Sequence, residues 1–445
     1  MVFSSLSFLY FFLPAVLLCF RLAPPRIRSG VLLFFSLFFY AWGDLGNLPL
    51  MLLSALLHYG AGLAVFRLRR GRKAVLAAAV LASAGALVYF KYWGMITGAL
   101  HWDLFVPALP VGISFYTFQA ISYTVDCYRG TIVPAKNPLY FFTYLTFFPQ
   151  LIAGPIVRYE EIEKNVAAPA PCREAFDRGA LRFVCGLCKK VLLANSLGWF
   201  FEALRGTGAP GLAGAWVGLL CFALQIYYDF SGYCDMAVGL GLCFGFSFPE
   251  NFQYPYISAS ITEFWRRWHR TLSGWFRDYI YIPLGGSRCG QARTLVNLFI
   301  VWSLTGLWHG AAVHFWLWGI YYFLLLAAEK LGLLRFFTRR RVLGHCYTLL
   351  AVLLGWTLFC FDSLPETGRW LWAMADFRTL FTAESRPLLL RALPLLLIGA
   401  AGCTPLPARL RRPRWLDPVL CGLGLLISTA FLVNAGYNPF LYFQF

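Results

Sequence analysis

The chain has 445 residues, of which 59% are hydrophobic and only 13% charged. Soluble domains carry about 25% charged residues, so a water-soluble globule is excluded and lipid is the expected surrounding. The formal net charge of +18 is read as Lys and Arg gathered in cytoplasmic loops; no basic run is long enough to form a domain that binds nucleic acid.

A spanning helix needs about 20 mostly apolar residues. In chain order such stretches fall at 2–20, 30–47, 48–66, 74–92, 110–126, 212–230, 294–309, 311–330, 345–361, 386–403 and 417–434. The first is read as an uncleaved span, because no positive charge precedes it and Arg21, Arg26 and Arg28 follow it. That order of flanks puts the N-terminus on the extracytoplasmic side. The next basic cluster, Arg67–Lys73, comes two spans later, as alternation requires. Arg129–Lys136, Arg158–Lys190, Arg266–Arg293, Lys330–Arg341 and Arg409–Arg414 are assigned to the cytoplasmic side with it.

Segments 140–156 and 235–248 are apolar but awkward. The first carries Pro149, Gly154 and Pro155, and the second is short and Gly-rich. Both are read as re-entrant or buried, since broken backbone at membrane depth survives only inside protein or against a cavity. The expected fold is all-α: an integral membrane bundle of about 11 spans plus re-entrant segments around a central cavity or tunnel, forming one domain over 1–445.

The stretch from Asn251 to His309 mixes aromatic and basic residues, notably Thr262-Glu-Phe-Trp265-Arg-Arg-Trp268-His269-Arg270. Trp and Tyr settle at headgroup level, and Arg snorkels toward phosphate. Trp265, Trp268, Leu272, Trp275 and Phe276 recur at helical spacing, which suits an interfacial amphipathic helix. The same basic surface could hold a phosphate-bearing donor such as coenzyme A. Trp265, Trp268 and Arg277 are its candidate substrate contacts.

Of the six histidines, His309 closes an apolar segment as Leu307-Trp308-His309-Gly310, and His269 sits in the aromatic–basic block. An intramembrane His is either a hydrogen-bonded structural group or a general base working near neutral pH. There is no H-E-x-x-H and no Cys/His cluster, and Cys185-Gly-Leu-Cys188 stands without a second pair. No metal site is therefore expected.

The Trp265–His269 block resembles the membrane-bound O-acyltransferase (MBOAT) family, in particular its bacterial alginate O-acetylase branch. Further stretches resemble family signatures: Leu109-Pro-Val-Gly-Ile-Ser-Phe-Tyr-Thr-Phe-Gln119 through Arg129, Phe147–Ile156, Tyr227-Tyr-Asp-Phe-Ser-Gly-Tyr233, and the C-terminal Asn438–Phe445. The motif core runs over about 89–330. The resemblance implies O-acyl transfer across a bacterial inner (cytoplasmic) membrane. The donor would be cytoplasmic acetyl-CoA, with no bound cofactor. The acceptor would be a hydroxyl on an extracytoplasmic polysaccharide or on a partner protein, such as a secreted or membrane-anchored SGNH-type acetyltransferase. The family His of W-H-G falls on His309, and its other His, of W-x-x-W-H, falls on His269. D-alanyl transfer to teichoic acid, as in a related branch, is the enzymatic alternative. A passive transporter or an assembly scaffold is the non-enzymatic one.

Overall fold

The computed structural model describes residues 2–409, 413, 415–434 and 441. Apart from Leu441, the C-terminal stretch Asn438–Phe445 lies outside the described residues. Among the described residues the regular structure is entirely helical, as membrane burial demands when each backbone N–H must be satisfied within its own segment. The chain forms two compact units, one from Met1–Cys185 and Tyr233–Glu250, the other from Gly186–Gly232 and Asn251–Phe445.

The first unit contains α1 (Phe8–Leu22), α2 (Arg28–Asp44), α3 (Leu48–Arg67), α4 (Arg72–Ala99) and α5 (Ile113–Arg129). Aromatic packing fills its core: Phe148 meets Phe12 edge-on at 5.2 Å and Phe39 at 5.5 Å. His58 is fully buried on α3, with Nδ1 2.7 Å from Thr124 Oγ1 on α5 and Nε2 2.6 Å from Ser83 Oγ on α4. Hydroxyl–imidazole bonds of this kind hold helices together where lipid offers no hydrophobic drive.

Segment 140–156 is built from two short helices, α6 (Pro138–Thr146) and α7 (Phe148–Leu151), followed by loop. Phe147, Phe148, Gln150 and Leu151 are all buried. Segment 235–248, expected to be re-entrant or buried, is mostly buried. Its first part continues α10 (Gly211–Cys243), one unbroken 33-residue helix that belongs to the first unit from Tyr233 onward.

The largest departure from the sequence reading concerns Arg158–Lys190, assigned there to a cytoplasmic loop. A short α8 (Tyr159–Val166) is followed by α9 (Arg173–Gly206), a 34-residue run long and apolar enough to cross a membrane. Its charges are paired. In the first unit Arg182 reaches Asp235 at 2.8 Å and Glu250 at 2.5 Å. In the second, Lys190 meets Asp229 of α10 at 2.6 Å, with both side chains only 3% exposed. Lys190 Nζ also donates to Asn195 Oδ1 at 2.9 Å, and the Leu441 backbone N–H donates to Asp229 Oδ2 at 2.8 Å.

The second unit continues with α11 (Ile261–Arg267), α12 (Arg270–Phe276), α13 (Gln291–His309), α14 (Val313–Phe337) and α15 (Arg341–Cys360). It closes with α16 (Leu364–Ala373), α17 (Ser385–Gly402) and α18 (Leu416–Asn434). In all, eight helices among the described residues meet the length and hydropathy of a span: α3, α4, α9, α10, α14, α15, α17 and α18. The shorter α1, α2 and α5 and the 19-residue α13 cover the remaining expected spans. The chain is thus a multi-pass membrane protein.

Candidate active site

The site is built on the α13–α14 hairpin. These helices approach closely through two facing glycines: a Cβ on Gly306 would stand 2.5 Å from the Phe315 carbonyl oxygen and 3.3 Å from the Gly319 Cα. Small residues allow such contact in membranes. The ring of Phe315 fills the space where a Gly310 side chain would sit. Glycine after His309 therefore lets α13 stop and the chain reverse within three residues.

That tight reversal sets His309 against α14 and α15. The side chain is buried at 8% exposure. Its ring stands edge-to-face with Trp308 at 4.8 Å, Trp318 at 5.0 Å and Phe359 at 5.2 Å. An aromatic cage of this kind keeps an imidazole away from bulk water and in a defined orientation.

His269 also lies near Trp308. The aromatic–basic block is not one amphipathic helix: α11 ends at Arg267, and α12 restarts at Arg270. His269 between them adopts the left-handed conformation, φ 43° and ψ 54°. Only a small minority of non-glycine residues do so, and the cost is of order 1–3 kcal/mol. The break turns the imidazole inward, where it is 2% exposed. Its ring meets Phe230 edge-on at 4.7 Å and stands 6.1 Å from Trp308. The two candidate histidines thus share one tryptophan as a neighbour.

The protonation form of His269 follows from its neighbours. Asn251 Oδ1 accepts from the Thr271 backbone N–H at 3.2 Å and from Thr271 Oγ1 at 3.0 Å, and it lies 3.1 Å from His269 Nδ1. A backbone N–H can only donate, so the Asn251 atom is the amide oxygen and His269 Nδ1 carries the proton. Burial pushes the ring pKa down from 6.5 to about 3. The neutral ring then holds a lone pair at Nε2.

Two further groups secure the block. Ser260 caps α11 by accepting from the Glu263 N–H at 3.0 Å. Glu329 of α14, 1% exposed, accepts from Ile261 N at 2.6 Å, Thr262 N at 2.8 Å and Thr262 Oγ1 at 2.6 Å. A carboxylate at a helix N-terminus is favoured by the helix dipole.

The other expected site residues divide. Trp265 lies edge-on to Trp302 at 4.8 Å, Trp318 at 5.5 Å and Tyr322 at 4.8 Å, and so joins the cage one ring away from His309. Trp268 packs on Phe264 and Trp356 as core. Arg277 is 65% exposed and pairs with Asp278 at 2.7 Å. Trp318, Tyr322, Glu329 and Phe359 were missed by the sequence reading, and Asn251 opened the aromatic–basic stretch without being given a role. Phe230, inside the Tyr227–Tyr233 stretch, was quoted but given no part. Among the described residues Trp265 Nε1, Trp318 Nε1 and Tyr322 Oη are buried donors with no hydrogen-bond acceptor.

The profile of the membrane-bound O-acyltransferase family matches residues 135–351, which include both histidines. A protein of Pseudomonas syringae pv. tomato described as a probable alginate O-acetylase AlgI is 40% identical over 85% of this chain and 76% of its own. Its Pseudomonas putida counterpart is 37% identical with both chains covered in full. The peptidoglycan O-acetyltransferase of Helicobacter pylori is 32% identical over 81% of this chain and 77% of its own. With similarity of this extent running through the caged His309 and the inward-turned His269, the chain belongs to the membrane-bound O-acyltransferase family and is an acyltransferase of the O-acetylating kind.

Proposed function

We propose that the protein moves an acetyl group from cytoplasmic acetyl-CoA to a hydroxyl on the extracytoplasmic side of a bacterial cytoplasmic membrane, with His309 as general base. The observation that carries this reading is that the rings of His309 and His269 both neighbour Trp308, at 4.8 Å and 6.1 Å. His309 takes the proton of the acceptor hydroxyl as its oxygen attacks the thioester carbonyl. The C–S bond then breaks, and the coenzyme A thiolate recovers the proton from His309. The N-terminus lies on the extracytoplasmic side.

His269, with its proton on Nδ1, offers Nε2 as an acceptor. That favours holding a donor N–H or O–H of a substrate over polarising the thioester carbonyl. Trp265, Trp318 and Tyr322 cluster within 4.8–5.5 Å, ring to ring. A buried donor left without an acceptor costs about 1–3 kcal/mol. An oxygen-rich acyl group or acceptor entering the cage would relieve that cost. Arg277, exposed beside Asp278, is better placed for the phosphates of the donor than for the chemistry.

The relatives named for alginate and peptidoglycan support a polysaccharide as the final acceptor, reached directly or through a secreted SGNH-type partner. The test is transfer of labelled acetyl from acetyl-CoA in membranes. His309→Ala is expected to lose about 10²–10⁴-fold in rate at unchanged expression. Full activity in that variant removes His309 as the base. Transfer of D-alanine from a carrier protein, without use of acetyl-CoA, replaces the acetyl reading.

A further inference from the structure

Two donors on α14 stand one helical turn apart. Trp318 is 1% exposed and Tyr322 is fully buried, with their rings 5.1 Å apart. Trp265 of α11 meets Trp318 at 5.5 Å and Tyr322 at 4.8 Å, so each of the three rings touches the other two. Trp318 Nε1, Tyr322 Oη and Trp265 Nε1 are buried and have no acceptor among the described residues. Other aromatic donors nearby are satisfied. Tyr321 Oη donates to the Ala351 carbonyl at 2.8 Å, and Tyr256 Oη donates to the Ala223 carbonyl at 2.6 Å.

The Tyr322 hydroxyl has a fixed place. It lies against α15 at Gly355, where a Cβ would stand 2.5 Å from Oη. The missing side chain leaves the room that the hydroxyl occupies. Around the donors are aromatic faces: Trp265 stands at 87° to Trp318 and at 88° to Tyr322. A π face is a weak partner for an N–H or O–H. Each donor therefore keeps its capacity for a stronger acceptor, and holding it unpaired lowers the stability of the resting protein.

The candidate base is the next ring. His309 stands 5.0 Å from Trp318, at 80°. When the acceptor oxygen bonds to the thioester carbon and His309 takes its proton, the carbonyl π electrons move onto the carbonyl oxygen. That negative charge lasts until the C–S bond breaks and the thiolate leaves. Donors already in place in a buried site stabilise such a charge without rearranging. His269 does not supply one, because its Nδ1–H is directed to Asn251 and its Nε2 only accepts.

The geometry points to Trp318 Nε1–H and Tyr322 Oη–H as the oxyanion hole of the acyl transfer, with Trp265 bracing both rings. The inference rests on the reading of His309 as the base, and it adds two catalytic residues to that site.

Transfer of labelled acetyl from acetyl-CoA is followed in membranes that carry the full-length protein, with kcat and KM separated. Tyr322→Phe removes the hydroxyl alone. It is expected to lower kcat about 10²-fold, with KM for acetyl-CoA changed by no more than about twofold. The purified variant melts at the same temperature or higher, since a buried donor without an acceptor is gone. Trp318→Phe is expected to lose kcat in the same way. Tyr321→Phe removes a hydroxyl that already has its acceptor; it keeps kcat and melts lower. Unchanged kcat in Tyr322→Phe or in Trp318→Phe removes that donor, and unchanged kcat in both overturns the inference. A rise in KM at full kcat also overturns it, because the donors then hold the bound substrate and not the charged intermediate. A fall in kcat with a lower melting temperature in Tyr322→Phe assigns that hydroxyl a structural part and counts against the inference. His309→Ala separates the two readings. Normal transfer there removes the base and the oxyanion hole with it, whereas lost transfer there with full kcat in both donor variants removes the oxyanion hole alone.

Discussion

Asn251 and His269 lie 18 positions apart, and their contact determines which nitrogen of the ring bears the proton. With the folded pKa pushed down from 6.5 to about 3, the unfolded chain binds this proton more tightly than the folded one. Its contribution to stability is complete above about pH 6.5 and is lost as the pH falls toward 3. Thermal unfolding in detergent is expected to move to lower temperature across that window. An acid limb of activity near neutral pH, if measured, belongs to another group. Asn251→Asp places a carboxylate against Nδ1, which raises the ring pKa. Its rate–pH profile is expected to show an acid limb shifted to higher pH than that of the unchanged protein; an identical profile means that protonation of His269 does not matter. The sequence exposes both histidines as polar residues in apolar or aromatic runs. It does not expose Asn251 or Glu329, whose roles depend on distances across loops and between helices.

The short α11 and α12 owe their geometry to Glu329, which closes three donors at the start of α11. Glu329→Ala leaves those donors without their acceptor and is expected to cost about 1–3 kcal/mol. Glu329→Gln keeps one oxygen and loses less; melting of the purified protein reads both. The helix α9 teaches a related lesson about legibility. Hydropathy counts each of Arg182 and Lys190 as a solvated charge, yet Arg182 pairs with residues 53 and 68 positions away, and Lys190 pairs with Asp229. Paired charges can lie at membrane depth, so a helix that reads as a basic loop is long enough to span. The aromatic–basic block misleads in the other direction. Its spacing is helical, but the left-handed His269 breaks the helix, and no residue pattern announces that break. Asp229→Ala is expected to destabilise by about 3–5 kcal/mol, because a buried Lys190 is left behind. Lys190→Met with Asp229→Leu is expected to be milder, and unfolding of the three proteins compares them.

For the whole molecule, α9 repairs the charge alternation. With 212–230 as the one crossing between Arg158–Lys190 and Arg266–Arg293, those clusters face opposite sides of the membrane. With α9 and α10 both crossing, Arg158–Arg173 and Arg266–Arg293 return to the same side, in keeping with the positive-inside rule. Cysteines introduced at Ala168 and Gly208, on either side of α9, are then expected to react with an impermeant maleimide from opposite faces of the membrane, when the exposed native cysteines are replaced by serine. Labelling of both from one face removes α9 as a span. The buried Lys190–Asp229 pair has one more consequence, which concerns voltage. An energised bacterial membrane acts on any net charge within it with about 2.3 kcal/mol per 100 mV for a full crossing. Lys190 and Asp229 stand 2.6 Å apart and together present the field with a dipole and no net charge. Acetyl transfer by the intact protein should not change when the potential of a proteoliposome is collapsed, whereas the Asp229→Ala protein, with one unbalanced charge at that depth, should be sensitive to it.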